Sequence, residues 1–223
     1  GALSDVGKDL ARPGVVHRLD RHTTGVMVIA KDEEAHWRLG RQFENRAVDK
    51  RYLAVVHGAF DRDADVIDMP IGPHPSKAKG MREKMVVRHD EMGKPAVTIC
   101  RVRERYEGYT LLELELKTGR THQIRVHLSH LGFPIAGDDM YGGRAIKESH
   151  IDPSGGDEIV IDRQALHACT LGFRDPHTGE PMEFTAPVHD DMGRLIARLR
   201  AHKRTSWDVT VPGATIDLDK ATP

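Results

Sequence analysis

Three short clusters in this chain hold residue types that can do chemistry. The first is His17-Arg18-Leu19-Asp20-Arg21-His22-Thr23-Thr24-Gly25. It lies just ahead of an apolar run, where a loop can present side chains to a cleft. Asp20 stands between Arg18 and Arg21, and neighbouring cations favour an ionised carboxylate. A shielded, ionised carboxylate is a usable nucleophile or base; the same residues also suit a plain salt-bridged turn. The second cluster is Gly119-Arg120-Thr121-His122-Gln123-Ile124-Arg125-Val126-His127. On a helix, His122, Arg125 and Ser129 share a face pointing away from Ile124, Leu128 and Leu131. An imidazole and a guanidinium at a helix start attract anions such as phosphate; an ordinary polar helix face has the same pattern. The third is Arg51-Tyr52. A tyrosine can stack on a flat ligand and offer its hydroxyl, although most strand tyrosines simply pack.

Other chemistries find no support. His122 and His127 are five apart with no glutamate between them, and His127 and His130 lack a third ligand, so no metal site is expected. There is no GxGxxG, no GxxxxGK[ST] and no GxSxG, so no cofactor is expected either. Cys100 and Cys169 lie 69 residues apart without any CxxC, which fits a reduced, cytoplasmic protein.

The elements that must hold these clusters can be read from pattern. Gly25–Ala30 is an apolar run suited to a buried strand. Asp32 can cap a helix reaching about Asn45, with Ala35, Leu39 and Phe43 on one face. Lys50–His57 reads as a strand. Residues 61–95, rich in Pro, Gly and charge, read as a long arm with one short strand at Met85–Val87. Ala96–Tyr106 and Tyr109–Lys117 form a hairpin through Glu107-Gly108. Thr121 is expected to cap the next helix, which Gly132 closes. Residues 143–163 form an acidic loop, Leu166–Arg174 and Pro181–Ala186 a second hairpin, and Asp190 or Asp191 caps a last helix. Residues 204–223 read as a loosely held tail. Strands outnumber helices and the hairpins are antiparallel, so an α+β fold on a mostly antiparallel sheet follows.

The chain has 223 residues, 39% of them apolar and 30% charged, which suits one full domain. No run of 18 uncharged apolar residues exists, so no membrane span is expected. The formal charge of −1 hides two opposed segments. Lys77–Arg105 holds nine basic and four acidic residues, and 138–162 holds two basic and seven acidic ones. The first could grip a polyanion.

Taken together, the clusters resemble the RluA-type pseudouridine synthases, which isomerise uridine in ribosomal or transfer RNA. The match runs from about residue 11 to 200. It is carried by Arg12-Pro13-Gly14-Val15-Val16-His17-Arg18-Leu19-Asp20 with Arg21–Gly25, by Lys50-Arg51-Tyr52-Leu53-Ala54-Val55, and by Met92–Thr98. Thr118–His127, Gly137-Asp138 with Tyr141-Gly142-Gly143, and Leu166-His167-Ala168 follow in the family's order. The resemblance implies the pseudouridine synthase fold, a mixed sheet flanked by helices and loops. It implies that Asp20 is the catalytic aspartate, that Tyr52 stacks on the target base and takes part in proton transfer, and that Arg125 pairs with Asp20 and holds it ionised. It further implies that Arg18 helps displace the target nucleotide, with Arg21, His22, Arg120 and His122 as supporting or RNA-contacting residues. Lys77, Lys79 and Lys84 are expected to hold phosphates from the arm. No cofactor is implied. The expected partner is RNA: ribosomal RNA of the large subunit on the strength of Arg163–Ala168 and Glu183–Pro187, with transfer RNA as the alternative. A cytoplasmic monomer is the expectation. The domain expectation is a catalytic unit over 1–203, N-terminally incomplete by comparison with the family, followed by a tail over 204–223. A non-catalytic RNA-binding module of the same fold is the main rival, and a base-excising enzyme the second.

Overall fold

The computed structural model describes residues 6–7, 12–76, 78, 83–209 and 211–223. Its elements follow the chain as β1 (Thr24–Gly25), α1 (Glu33–Glu44), β2 (Asp49–His57), β3 (Ala64–Asp68), β4 (Ile71–Pro73), β5 (Met85–Val87), β6 (Val97–Tyr106), β7 (Tyr109–Leu116) and α2 (Gln123–His130). Then come β8 (Ile146–Lys147), α3 (Glu148–Ile151), β9 (Ile159–Ile161), β10 (Leu166–Arg174), β11 (Pro181–Thr185), α4 (Asp190–His202), β12 (Arg204–Asp208) and α5 (Leu218–Ala221). The main sheet runs β1-β10-β2-β7-β6-β12, with β11 on β10 and β3 on β6. Only β1 pairs in parallel, so the sheet is mixed but mostly antiparallel.

β2 and β7 lie at its centre, and Leu53, Ala54, Val55, Leu111, Leu112 and Leu114 are fully buried there. Burying each Leu or Val contributes about 1.5–3 kcal/mol. Met192, Leu195, Ile196 and Leu199 of α4 close the same core. A smaller cluster sets Ala35 and Leu39 of α1 against Leu171 and Phe173. Asp32 caps α1 as its sequence requires, accepting from the Ala35 amide at 2.8 Å.

Several elements differ from expectation. The apolar run after Gly25 is not a buried strand: Met27 and Ile29 are exposed, and Ile29 touches Val15 through a single bridge. Gly25 itself is indispensable, because at φ 128 a Cβ there would come within 2.3 Å of the Ala168 carbonyl oxygen. Residues 61–95 are not one arm. β3 joins the main sheet, and only β4 and β5 form a separate two-stranded hairpin. Four of the basic segment's described cations are neutralised: Arg88, Arg101, Arg103 and Arg105 are paired with Asp90, Glu115, Glu113 and Asp63. The acidic loop contains the β8–β9 pair and α3. α4 is preceded by His189 as its cap residue, with Asp190 and Asp191 inside its first turn.

The stretch after residue 203 is tied down rather than loose. β12 pairs with β6. Beyond it, Glu113 accepts from the Thr215 and Ile216 amides at 2.8 and 3.2 Å, and Arg101 donates to the Pro212 carbonyl at 3.1 Å. Ile216 and Ala221 are buried in the main core. Charged side chains on the outer face of β6 and β7 hold this strap, an arrangement with no local sequence signature.

Candidate active site

Period-two alternation places Lys50 and Tyr52 on one face of β2 and Arg51 on the other, against Glu113 and Glu115. The Lys50–Tyr52 face lines a cavity of about 410 Å³, a volume within the roughly 300–1,000 Å³ of ligand pockets. Arg18, Asp20 and Thr23 enter it from the loop before β1, Phe43, Glu44 and Arg46 from the end of α1, and Thr118–Ile124 from the turn into α2.

The Asp20 turn is closed by the Thr23 amide, which donates to the Asp20 carbonyl at 3.0 Å. The segment leading into β10 grips its outer side. Gln164 Nε2 donates to the Arg21 carbonyl at 2.6 Å, and Arg163 donates to the His22 carbonyl at 3.0 Å. Asp191 holds that arginine in turn. His167 Nε2 meets the Ala186 carbonyl at 3.2 Å, so that nitrogen carries the proton and Nδ1 accepts from the Thr24 hydroxyl at 2.7 Å. Burial pushes the His167 pKa down to about 4. On the other side, His17 stacks on Phe43 and accepts from the Val28 amide at 3.0 Å. Its pKa also falls to about 4, through burial and then the charge of Lys50. Two neutral imidazoles thus pin the loop that carries Asp20.

The Asp20 carboxylate is 17% exposed, and Arg125 Nη1 lies 3.6 Å from it. The helical pattern predicts that Arg125 faces out of the core. It is instead 5% exposed and does not line the cavity. Its stronger partner is Asp138, which accepts from Nε at 2.7 Å and from Nη2 at 2.8 Å, with only 1% of its own surface exposed. Burial opposes the Arg125 charge, but the bonds and charge of Asp138 and the charge of Asp20 outweigh it, and the pKa rises. The guanidinium therefore bridges two carboxylates, one buried and one facing the cavity.

Tyr52 is 8% exposed, and burial followed by the charge of Asp20 raises its pKa. It keeps its proton at neutral pH, so it can give a proton or a hydrogen bond but cannot act as a phenolate base.

α2 does not begin at a Thr121 cap. His122 is its cap residue, in the left-handed region at φ 55. The Gln123 side chain folds back instead, its oxygen accepting from the Arg120 amide at 3.0 Å and the Thr118 hydroxyl at 2.7 Å. His122 Nδ1 lies 2.8 Å from the Tyr141 hydroxyl, which also accepts from the Met85 amide at 2.9 Å. Burial lowers the His122 pKa, as does Arg125, against the opposing pull of Asp20. Tyr141 also receives Arg125 over its ring at 4.8 Å and Lys84 at 5.5 Å.

Of the residues singled out in the sequence, Asp20, Tyr52, Arg18, Arg120 and His122 converge on the cavity, and Arg125 lies behind Asp20. Arg120 also donates to the Pro95 carbonyl at 3.1 Å. Arg21 and His22 are exposed and outside the lining, and Lys84 is half-buried on Tyr141. Lys77 and Lys79 lie outside the described residues. The roles of Asp138, Tyr141, Arg163 and Gln164 were not assigned from sequence. Their partners are 12 to 143 positions away, and no local pattern announces such pairings.

Residues 4–130 match the protein family described as RNA pseudouridylate synthase. The chain is 48% identical over 189 residues to the uncharacterized RNA pseudouridine synthase YlyB of Bacillus subtilis (strain 168), an alignment covering 85% of this chain and 56% of that protein. It is 44% identical over 199 residues to the ribosomal large subunit pseudouridine synthase D of Escherichia coli (strain K12), covering 86% and 57%. The solved structure of human RNA pseudouridylate synthase domain containing 1 superposes with a TM-score of 0.66 at 26% identity, covering 91% of this chain and 79% of that one. The chain spans little more than half the length of the curated relatives it matches.

Proposed function

The chain belongs to the RNA pseudouridylate synthase family, and from that premise we propose that it isomerises uridine to pseudouridine in RNA, with Asp20 as the catalytic carboxylate. One observation carries the reading: a single carboxylate of the Asp20 loop, backed by the buried Arg125 at 3.6 Å, faces a cavity that also presents Tyr52. The reaction breaks the N1–C1′ bond, turns the uracil and forms C5–C1′; C5 gives up its proton and N1 takes one up, so no atom is gained or lost. It has no net oxidation or hydrolysis, so two carboxylates of the glycosidase kind are not required. A carboxylate in this position can attack C1′, attack C6, or take a sugar proton; each step needs Asp20 beside the base–ribose junction.

The target base must first leave its stack, which costs a few kcal/mol. Tyr52 stacking on the extruded ring offsets about 1–3 kcal/mol of that. Arg18, exposed at the mouth of the cavity, fills the place the base leaves. Six lining side chains are charged: Arg18, Arg46, Lys50 and Arg120 against Asp20 and Glu44. That excess of cations suits a phosphodiester chain.

The substrate in this reading is large-subunit ribosomal RNA, supported by the names of several relatives at 42–48% identity. Total RNA incubated with the chain, followed by pseudouridine mapping, tests activity and substrate together. New pseudouridine in large-subunit RNA is expected, and modification of transfer RNA alone would move the assignment there. Asp20→Asn should still bind RNA but form no pseudouridine. Substantial turnover by that variant removes Asp20 from the mechanism, and loss of the base, visible as a mass decrease, would make the chain a base-excising enzyme.

A further inference from the structure

The cavity extends beyond the space around Asp20 and Tyr52 to a second group of cations. Lys50, on β2, points into it two residues before Tyr52. The ammonium forms no ion pair with any described residue. It lies against the backbone of the turn into α2, close enough that a Cβ on Gly119 would be 3.5 Å from Nζ. Burial lowers its pKa, and so does the positive charge of Arg46. Two like charges therefore face one space with their mutual repulsion unrelieved by an ion pair.

Arg46 is held there at a conformational cost. At the end of α1 the Ala47 amide bonds the Gln42 carbonyl at 2.9 Å and the Arg46 amide bonds the Phe43 carbonyl at 3.2 Å. This is the Schellman ending, whose left-handed position is usually glycine. Here it is arginine, at φ 58. An L-residue in that region costs roughly 1–2 kcal/mol. Arg46 is exposed and likewise has no ion pair with a described residue. Glu44 is the one acid on this rim, and it pairs with neither cation.

Strain kept at a cavity edge to present an unpaired cation beside a half-buried one points to an anionic ligand. We propose that Arg46 and Lys50, with the Gly119 backbone beside them, form a phosphate subsite for the phosphodiester adjoining the nucleotide held at Asp20. The subsite rests on the reading of the cavity as an RNA site. It adds where the strand continues: from Tyr52 along β2 toward the end of α1.

The test uses uridine-bearing stem-loops of large-subunit ribosomal RNA, with the dissociation constant measured against salt concentration and pseudouridine formation scored separately. Arg46→Gly and Lys50→Gln should each weaken binding and lower the log–log salt slope by about 0.7, the value for one single-strand phosphate contact. Arg46→Gly relieves the left-handed strain, so its melting temperature should hold or rise while affinity falls. That combination separates a lost contact from a damaged fold. Arg194→Gln removes a charge from α4, which lines no part of the cavity, and should leave the slope alone. Unchanged slopes for both cavity variants, or an equal loss for Arg194→Gln, overturn the subsite. If the wild type binds with the expected slope but forms no pseudouridine, the proposed activity fails and the subsite stands. If the wild type binds no RNA, both fail.

Discussion

Arg125 touches two carboxylates and Asp138 touches one cation, and this asymmetry fixes what each substitution should do. Replacing Asp138 by alanine leaves the guanidinium buried, but Asp20 remains 3.6 Å away. At that distance and an effective dielectric of about 20, the attraction is roughly 4–5 kcal/mol before desolvation and solvent screening. Asp20 can therefore take over part of the compensation. Replacing Arg125 by methionine leaves Asp138, 1% exposed, with no ion-pair partner among the described residues. Breaking a buried pair costs about 3–5 kcal/mol. Asp138→Ala should fall at the low end and Arg125→Met at the high end. At about 2–4 °C per kcal/mol for a chain of this size, these losses lower the melting temperature by roughly 6–12 °C and 10–20 °C. The double variant removes both charges and should melt above Arg125→Met alone. All three should lose pseudouridine formation, Asp138→Ala because Arg125 is drawn onto Asp20 and occupies the carboxylate. Calorimetry with a turnover assay reads every arm. Equal losses for the two single variants, a reversed order, or strict additivity in the double variant would refute the bridging role of Arg125.

Two further outcomes follow from the same site. Tyr52→Phe keeps the ring and should keep RNA affinity, whereas Tyr52→Leu removes about 1–3 kcal/mol of stacking and should raise KM roughly 5- to 150-fold; equal KM values for the two variants would show that the ring does not stack. His167, neutral in the fold with a pKa of about 4 against 6.5 when unfolded, binds its proton more readily in the unfolded chain. Its effect is absent above pH 6.5, and stability is lost as pH falls from 6.5 toward 4 at about 1.4 kcal/mol per pH unit. His167→Gln should flatten the stability profile across that window, and an unaltered profile contradicts a neutral, buried imidazole.

Much of the framework was legible because it depends on neighbours in sequence. Asp32 and its apolar stripe specify α1, alternation specifies β6, apolar runs mark β2 and β7, and Glu107-Gly108 closes the hairpin between β6 and β7. The failures arose where tertiary contacts override a local pattern. Val26–Ala30 has the composition of a strand, but β10 is already paired on both sides beyond the contact with Gly25, so the run peels away. The tail carries few apolar residues and reads as loose. Its affinity for the sheet lies in Arg101, Arg103 and Glu113, more than a hundred positions earlier.

The site divides along the same line. Asp20, Tyr52 and Arg125 are carried by motifs, yet the local pattern does not show the surroundings of Arg125. Helical periodicity groups Arg125 with His122 and Ser129, off the stripe of Ile124 and Leu128, and a charged residue there is expected to meet solvent. α2 is instead buried over six consecutive residues, Gln123 to Leu128, so it is covered all round. A guanidinium on a helix so covered needs a buried acid, and the turn carrying Asp138 supplies it. This placement also has a mechanistic consequence. Because Asp138 takes two of the guanidinium's hydrogen bonds, Arg125 holds its position without closing on Asp20. At 3.6 Å the cation can stabilise the carboxylate's charge while leaving its oxygens open to the ribose–base junction. A cation bonded directly to Asp20 would have tied up the atoms that the proposed reaction needs.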